Sequence, residues 1–227
     1  PKLSIILCGN DPASLMYTSM KKNKAKSVGI IAEVINFEVS INEEELIKNI
    51  KRIQDQSDGV MVQLPLPVGL DKNNVLKSID PLKDVDGLTS TCLGKVLFGD
   101  EKLAPATPKG IITLLDYYGI DIKGKNVVII NHSNVVGKPL AMMFLNRGAT
   151  VTVCHEFTQD LPSHTKKADI LVIGIGKPNF ITNDMVKNNS VIVDVGISKI
   201  GGNIVGDVDF ESVKEKVSFI TPVPGGV

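Results

Sequence analysis

The chain has 227 residues and a mass of 24.4 kDa, which is enough for one large domain or two small ones. Hydrophobic residues make up 43% and charged residues 22%, a composition that is typical of a globular protein and excludes intrinsic disorder. Lys and Arg total 25, as do Asp and Glu, so the formal net charge of zero argues against nucleic-acid binding through a broad basic field.

Short apolar runs alternate with amphipathic segments in the first half of the chain. Asp11-Pro12 predicts the start of a helix and Gly29 its end, and Asn42 caps a second helix whose first turn is acidic. Apolar runs of strand length occupy residues 3–8, 33–37 and 60–64. This β-α-β-α-β order predicts parallel strands joined by right-handed crossovers.

The second half repeats this alternation after a different kind of segment. Residues 80–109 predict a loop-like connection, since Asp, Gly, Thr and Pro punctuate them. A capped helix is predicted to start at Thr107-Pro108 and end at Gly119, and a later helix ends at Arg147. Further strands are predicted at residues 125–130, 150–154, 168–173 and 190–195.

These two series predict an α/β protein with two domains and a cleft between them. We expect residues 1–110 to form an α/β domain and residues 111–227 to form a Rossmann-like, doubly wound parallel sheet that binds a nucleotide. The junction is expected within residues 105–120.

Three polar positions of the first domain are candidates for chemistry. Tyr17 and Lys21 lie four residues apart on the first helix, so they project from one face, where Lys21 is either part of a solvated lysine run or aimed at a cleft. Gln63 ends the third strand, where parallel sheets bind ligands, and its amide either orients a ligand or Lys21 or bonds to the following Pro-rich turn. Residues 84–87, Asp-Val-Asp-Gly, predict a turn.

In the second domain, the loop of residues 131–139 follows a strand and opens a helix. That context suits phosphate binding at a helix N-terminus, although only Gly137 remains of the usual glycine fingerprint. His132, His155 and His164 are too dispersed in sequence to predict a metal site, and no G-x-S-x-G elbow predicts a serine hydrolase.

Taken together, these segments resemble the bifunctional methylenetetrahydrofolate dehydrogenase/methenyltetrahydrofolate cyclohydrolase family of the FolD type. The resemblance spans nearly the whole chain, with the motifs in the family's order. They are Tyr17-x-x-x-Lys21 after Asp11-Pro12-Ala13-Ser14, then residues 62–67, 84–87, 107–110, 133–139 and 222–227.

The resemblance implies an enzyme of one-carbon metabolism that supplies purine biosynthesis. It would oxidise 5,10-methylenetetrahydrofolate to the methenyl cation with NADP and hydrolyse that cation to 10-formyltetrahydrofolate. The implied catalytic residues are Lys21, which handles protons in the hydrolysis, Tyr17, which packs on the folate ring, Gln63, which holds Lys21, and Asp86, which pairs with pterin donors.

The resemblance also implies two sets of binding residues. The folate would contact Ser14, Tyr17, Leu64, Asp86, Pro224 and Gly225. The dinucleotide would contact Thr107, Asn131, His132, Ser133, Val136, Gly137, Glu156, Gly174 and Ile197.

The choice between NADP and NAD is where this sequence departs from the family. The usual loop is Gly-Arg-Ser, and here it is Asn131-His132-Ser133. Glu156 falls near the position of the acid that grips the ribose 2′-hydroxyl of NAD in a conventional dinucleotide fold, and a carboxylate repels a 2′-phosphate. His132 and the family default favour NADP, so we expect NADP first, with NAD as the alternative.

The resemblance implies a homodimer formed through the nucleotide domains, and residues 150–154 and 169–173 are predicted to lie near an open sheet edge. Lys22, Lys24 and Lys26 either attract anionic polyglutamate tails of folates or form a solvated face. No apolar run reaches the roughly 18 residues of a membrane span, and three scattered cysteines are typical of the cytoplasm. The family carries segments before Pro1 and after Val227, so the chain is expected to be a core fragment.

Two alternatives are retained from the sequence. One is another two-domain NAD(P)-dependent dehydrogenase of a small acid, such as a shikimate or amino-acid dehydrogenase. The other is a non-catalytic nucleotide-binding module, which a fold alone does not exclude.

Overall fold

The computed structural model describes residues 1–227, which divide into two compact units. The first unit is Pro1–Lys95 with Lys102–Ala104, and the second unit is Val96–Glu101 with Pro105–Val227. The domain boundary after residue 110 stays a prediction.

The first unit is built on a parallel sheet of three strands in the order β2-β1-β3, as the β-α-β-α-β pattern predicts. The strands are β1 (Lys2–Cys8), β2 (Ile31–Phe37) and β3 (Gly59–Val62), and the crossovers are α1 (Pro12–Ser27) and α2 (Glu43–Gln54). The central strand β1 is buried from Ser4 to Cys8, and Ile5 and Ile6 are fully inaccessible. Because β3 ends at Val62, Gln63 is the first residue beyond the sheet.

Both predicted helix starts are confirmed. The Asp11 carboxylate accepts a hydrogen bond from Ser14 N at 2.8 Å, and Pro12 occupies the first position of α1, where no backbone N–H is needed. Asn42 Oδ1 accepts from Glu45 N at 2.9 Å, so the start of α2 is satisfied by a side chain as well.

The prediction of a loop throughout residues 80–109 is wrong in its middle. The chain forms α3 (Lys72–Lys77) just before that segment and α4 (Ser90–Leu97) within it. Cys92 and Val96, one turn apart in α4, are buried, and Thr89 Oγ1 accepts a hydrogen bond from Cys92 N at 3.2 Å. Since Gly94 lowers the intrinsic helix propensity, packing and the Thr89 cap stabilise this helix, and the punctuation pattern did not reveal it.

The second unit contains a parallel sheet of five strands in the order β10-β7-β6-β4-β5. Its strands are β4 (Asn126–Ile130), β5 (Thr150–Cys154), β6 (Ile170–Ile173), β7 (Val191–Asp194) and β10 (Phe219–Ile220), and a hairpin of β8 (Ser198–Ile200) and β9 (Asn203–Val205) follows β7. The helices are α5 (Ala106–Tyr117), α6 (Gly137–Asn146), α7 (Leu161–Thr165) and α8 (Phe210–Val213), with a 3₁₀ turn at Asn183–Met185. The strand order reverses at β4, which is the topological switch point at which doubly wound sheets bind ligands.

Two details of this unit differ from the prediction. Helix α5 begins at Ala106 after Pro105, without a side-chain cap, so Thr107 lies in its first turn and does not cap it. Strand β5 is an edge strand as expected, but β6 lies between β4 and β7. The crossover after β5 returns past β4, so β6 has a neighbouring strand on each side.

None of the helices combines the length and the apolar composition that a membrane span requires.

Candidate active site

In the first unit, Lys21 and Gln63 meet through their side chains. Lys21 Nζ donates to Gln63 Oε1 at 3.1 Å, and Gln63 Nε2 donates to the carbonyl oxygen of Leu64 at 2.7 Å. Gln63 is buried and Lys21 is half-buried, so the lysine is not part of a fully solvated face. The Gln63 amide therefore bonds to the turn through Nε2 and accepts from Lys21 through Oε1.

Helix α1 places Tyr17 one turn before Lys21, and the Tyr17 ring is half-buried. Ser14 is buried at the start of the same helix, where its carbonyl oxygen accepts from Thr18 Oγ1 at 2.9 Å. The succession Ser14, Tyr17 and Lys21 follows helical spacing, so the three residues share one side of α1. Leu64, half-buried, extends this set beyond the end of β3.

The turn at residues 84–87 separates two carboxylates by their environment. Asp84 is buried, and its oxygens accept from Gly87 N at 2.9 Å and from Thr89 N at 2.7 Å. Asp86 accepts no hydrogen bond, and burial raises its pKa, an effect that the Lys21 charge opposes and the Asp84 charge reinforces. Asp84 thus closes the turn, and Asp86 is left as the acid facing the charge of Lys21.

The second unit has a cavity of about 610 Å³ at the carboxyl ends of β4, β5 and β6. This volume falls within the range of about 300–1,000 Å³ that is typical of small-molecule sites. The cavity lies at the switch point of the sheet. It is lined by Ile130, Asn131, His132, Ser133, His155, Glu156, Thr158, Leu161, Gly174, Ile175, Lys177 and Phe180.

The loop between β4 and α6 is held by one amide side chain. Asn131 Oδ1 accepts from Ser133 N at 2.9 Å and from Gly137 N at 3.0 Å, and Ser133 Oγ accepts from Val136 N at 3.1 Å. The N–H groups at the start of α6 are thus already bonded within the loop. The Ser133 hydroxyl donates to Asn131 Oδ1 at 2.8 Å, so the exposed side chain that is left to donate to a phosphate on this side of the cavity is that of His132.

Two histidines that are distant in sequence come together at the cavity. The rings of His132 and His155 have centroids 5.2 Å apart, and His132 Nδ1 lies 3.6 Å from Glu156 Oε2. Ile130 pairs with Cys154 in the sheet, so the residues that follow β4 and β5 emerge side by side. Sequence spacing did not reveal this contact, because it carries no information about strand register.

Seven residues that line the cavity are absent from the predicted dinucleotide contacts: Ile130, His155, Thr158, Leu161, Ile175, Lys177 and Phe180. The Lys177 ammonium lies 5.6 Å from the centroid of the Phe180 ring and forms no ion pair. A signal was present, since residues 174–178 follow a predicted strand with the sequence Gly-Ile-Gly-Lys-Pro. With His132, Lys177 gives the cavity the donors that a phosphate-bearing dinucleotide requires, so these residues fit such a cofactor.

Other predicted residues do not line this cavity. Thr107 is half-buried in α5, and Ile197 is exposed after β7. Val136 ends the loop and Gly137 begins α6, and neither residue lines the cavity. The predicted folate contacts Pro224 and Gly225 are exposed after β10. Gly225 borders a separate cavity of about 300 Å³, which Tyr118 and Phe219 also line.

Comparison with known proteins places both units in one family. A family model described as the tetrahydrofolate dehydrogenase/cyclohydrolase catalytic domain matches residues 1–86, and one described as the NAD(P)-binding domain of that family matches residues 105–227. The bifunctional protein FolD of Nitratiruptor sp. is 51% identical over 229 residues, covering 100% of this chain and 81% of that protein.

Solved structures agree with this assignment. The crystal structure of the bifunctional FolD enzyme from Campylobacter jejuni is 44% identical, with a TM-score of 0.97 over 99% of this chain and 81% of that one. The Trypanosoma brucei FolD structure, complexed with NADP cofactor and inhibitor, is 32% identical, with a TM-score of 0.93 over 100% of this chain and 80% of that one.

Shikimate dehydrogenase from Aquifex aeolicus is only 14% identical, with a TM-score of 0.59 over 98% of this chain and 87% of that one, and it shares the fold alone. Neither a dehydrogenase of another small acid nor a non-catalytic module is therefore favoured. The chain belongs to the tetrahydrofolate dehydrogenase/cyclohydrolase family and is a bifunctional enzyme that oxidises 5,10-methylenetetrahydrofolate with NADP and hydrolyses the methenyl product to 10-formyltetrahydrofolate.

Proposed function

We propose that Lys21 is the residue that moves protons in the cyclohydrolase step. The observation that supports this role is the hydrogen bond from Lys21 Nζ to the buried amide oxygen of Gln63. A neutral amide orients the lysine nitrogen without the negative charge that would stabilise its ammonium form. The Lys21 charge acts on the half-buried carboxyl group of Asp86, whose pKa is raised by burial.

The remaining first-unit residues position the folate in this proposal. Tyr17 packs on the ring system, and the side of α1 that carries Ser14 continues the same surface. Asp86 accepts hydrogen bonds from neutral donors on the pterin, a contact that contributes about 1.5–3 kcal/mol when the acceptor is charged. Leu64 lines the apolar side of the ring, and the folate roles of Pro224 and Gly225 follow from the family resemblance.

A substitution of Lys21 tests the proposal directly. Lys21→Met keeps the length of the side chain and removes Nζ, so we expect cyclohydrolase kcat to fall by about a hundredfold to ten-thousandfold, the usual contribution of a positioned acid–base group. Lys22→Met is the matched control, because Lys22 is exposed on the same helix. With monoglutamate substrate it should be unaffected. Full cyclohydrolase activity in a folded Lys21→Met protein would eliminate the role.

For the dehydrogenase step, we propose that the cavity at the ends of β4, β5 and β6 holds NADP. NADP supplies the hydride acceptor when it is bound, and the protein supplies alignment. His132 and Lys177 donate to its phosphate oxygens, Ser133 lines the cavity beside His132, and Glu156 lies next to the His132 ring. Asn131 shapes the loop and donates through Nδ2 to the carbonyl oxygen of Gly174, which lines the cavity beside it. The roles of Thr107, Val136, Gly137 and Ile197 follow from the family resemblance.

Glu156 limits the preference for NADP over NAD in this proposal. A carboxylate about 4 Å from a phosphate costs roughly 1 kcal/mol per charge pair in water and more at lower dielectric. We therefore expect Glu156→Gln to raise the ratio of kcat/KM for NADP to that for NAD by about fivefold or more. Asp160→Asn is the control, since Asp160 is exposed nearby and does not line the cavity. A wild-type preference for NADP above about a thousandfold would show that Glu156 does not face the ribose.

Three wider proposals follow from the resemblance. The exposed Lys22, Lys24 and Lys26 attract polyglutamate tails, which predicts a salt-sensitive KM for polyglutamylated folate and a salt-insensitive KM for the monoglutamate. Equal KM values for the two folate forms, without a salt effect, would contradict this.

The enzyme is cytoplasmic, which agrees with three buried free thiols and is tested by cell fractionation. It is also a homodimer through its second unit.

A further inference from the structure

The segment after β6, which forms one wall of the cofactor cavity, is hydrogen-bonded through its backbone to the buried carboxylate of Asp207. Asp207 Oδ2 accepts from Ile175 N at 2.6 Å and from Gly176 N at 3.0 Å. Ile175 and its neighbours Gly174 and Lys177 line the cavity. Asp207 does not line the cavity itself, and its side chain is fully buried. One oxygen atom therefore sets the backbone of the segment that forms this wall.

Asp207 is itself held by a second buried acid, Asp194, at the end of β7. Asp194 Oδ1 accepts from Asp207 N at 3.1 Å and from Gly196 N at 2.8 Å, and Asp194 Oδ2 accepts from Val208 N at 2.8 Å. This network connects the end of β7 to the cavity wall through Asp194, Asp207 and the amide of Ile175. The same Asp194 carboxylate fixes the segment after β7 that leads to Ile197, a predicted dinucleotide contact.

The packing around the two acids leaves them no other position. A Cβ at Gly196 would lie 2.2 Å from the Asp207 carboxyl carbon, and a Cβ at Gly206 would lie 2.0 Å from Asp194 Oδ2. Both contacts are closer than any real Cβ contact, so backbone and carboxylates are in contact on both sides. The direction of the Asp207 side chain, and with it the position of the Ile175 and Gly176 amides, is determined by this packing.

Two buried acids in this arrangement lower the stability of the fold, so stability does not account for their presence. Asp207 Oδ1 is buried and has no hydrogen-bond partner, and burying an unsatisfied acceptor is unfavourable. Burial also raises the pKa of Asp194, even though three backbone N–H groups lower it. An apolar side chain in place of Asp207 would remove the unsatisfied acceptor, but it would leave the amides of Ile175 and Gly176 without this hydrogen-bond partner.

We propose that Asp207, held by Asp194, is a positioning residue for the nicotinamide cofactor, which it serves by setting the Gly174–Lys177 wall of the cavity. This inference rests on the proposed location of NADP in that cavity. It assigns to Asp207 an effect on dinucleotide affinity and no role in the folate chemistry of the first unit. The acceptor oxygen matters for this role, and the charge does not.

Two substitutions separate the acceptor from the charge. Asp207→Leu fills similar space without an acceptor, and we expect the Kd for NADP, measured by calorimetry, and the KM for NADP to rise at least tenfold. Asp207→Asn keeps an oxygen that accepts from the two amides, and its NH₂ takes the place of Oδ1, which has no hydrogen-bond partner in the wild type. The Kd and the KM for NADP should therefore stay within threefold of the wild-type values. Cyclohydrolase activity, measured without dinucleotide, is the internal control and should stay within twofold in both variants.

The outcomes are distinct. An unchanged Kd for Asp207→Leu, an Asn variant as impaired as the Leu variant, or a parallel loss of NADP affinity and cyclohydrolase activity would each overturn the inference. If the Leu variant does not fold, Asp207→Ser, whose hydroxyl is too short to reach the amides, takes its place with the same expectations. Ser133→Trp obstructs the cavity and so tests whether NADP binds there. If NADP binding survives this substitution, the assignment of NADP to the cavity fails. If Ser133→Trp abolishes NADP binding and Asp207→Leu leaves it intact, the positioning role of Asp207 fails and the cavity assignment stands.

Discussion

Asp84 and Asp86 are two residues apart in one turn, and their surroundings give them different roles. The carboxylate of Asp84 is buried and bonded to two backbone N–H groups, so it belongs to the fold. The carboxylate of Asp86 has no such partners, and burial raises its pKa. A group that costs stability in the free enzyme and can accept donors from a ligand is typical of a binding site.

We expect the cost of Asp86 to be visible in the pH dependence of stability. Because its folded-state pKa lies above the unfolded value, the stability that its neutral form contributes is present below the unfolded pKa and lost as pH rises through the folded pKa. Asp86→Asn should therefore unfold at a higher temperature than the wild type at roughly pH 8, with the difference vanishing near pH 4, about the ordinary Asp value.

The same variant should bind folate more weakly, lowering kcat/KM by roughly tenfold or more, because a charged acceptor is lost. Asp84→Asn is the contrasting variant, since it weakens the bonds to Gly87 and Thr89 and should lower stability at neutral pH. An Asp86→Asn protein that is less stable than the wild type at high pH would contradict the assignment.

Among the elements, helix α6 depends on the absence of a side chain at its first residue. A Cβ at Gly137 would lie 1.8 Å from the carbonyl oxygen of Asn131, so Gly137→Ala must displace the loop that lines the cofactor cavity. We expect a loss of about 1–3 kcal/mol in the free energy of unfolding, the usual cost of overpacking, together with weaker NADP binding.

Gly110→Ala provides the matched control within α5. Nothing lies within 4 Å of a Cβ at Gly110, and the residue is in the body of the helix. Alanine there should increase the free energy of unfolding by about 0.5–1 kcal/mol, so the two Gly→Ala changes should have opposite signs in a denaturant titration. Equal effects would show that the Gly137 contact relaxes without cost.

At the scale of the whole molecule, the second unit leaves strand β5 as one edge of its sheet. An edge with unpaired backbone groups requires a cover, and Val153 on β5 is 37% exposed. We expect light scattering to show a dimer at micromolar concentration, and Val153→Lys to shift the enzyme towards monomer. Ile31→Lys, on edge strand β2 of the first unit, should leave the dimer intact. A wild-type monomer of 24.4 kDa would contradict this expectation.

Local rules were sufficient for most elements of the fold. The caps at Asp11 and Asn42 and the apolar strand runs depend on residues within a few positions, and the predicted parallel sheets are confirmed. They were not sufficient for α4, because its stability comes from the burial of Cys92 and Val96.

The sequence by itself determined the family, since its motifs occur in order along nearly the whole chain, and it identified Lys21, Tyr17, Gln63 and Asp86 as candidates. Only the tertiary structure showed that the Gln63 amide bonds both Lys21 and Leu64, that His132 and His155 are neighbours, and that Asp207 supports the cavity wall. The physical reason is sequence distance: these contacts join residues brought together by strand register and crossover direction, which local propensity does not encode.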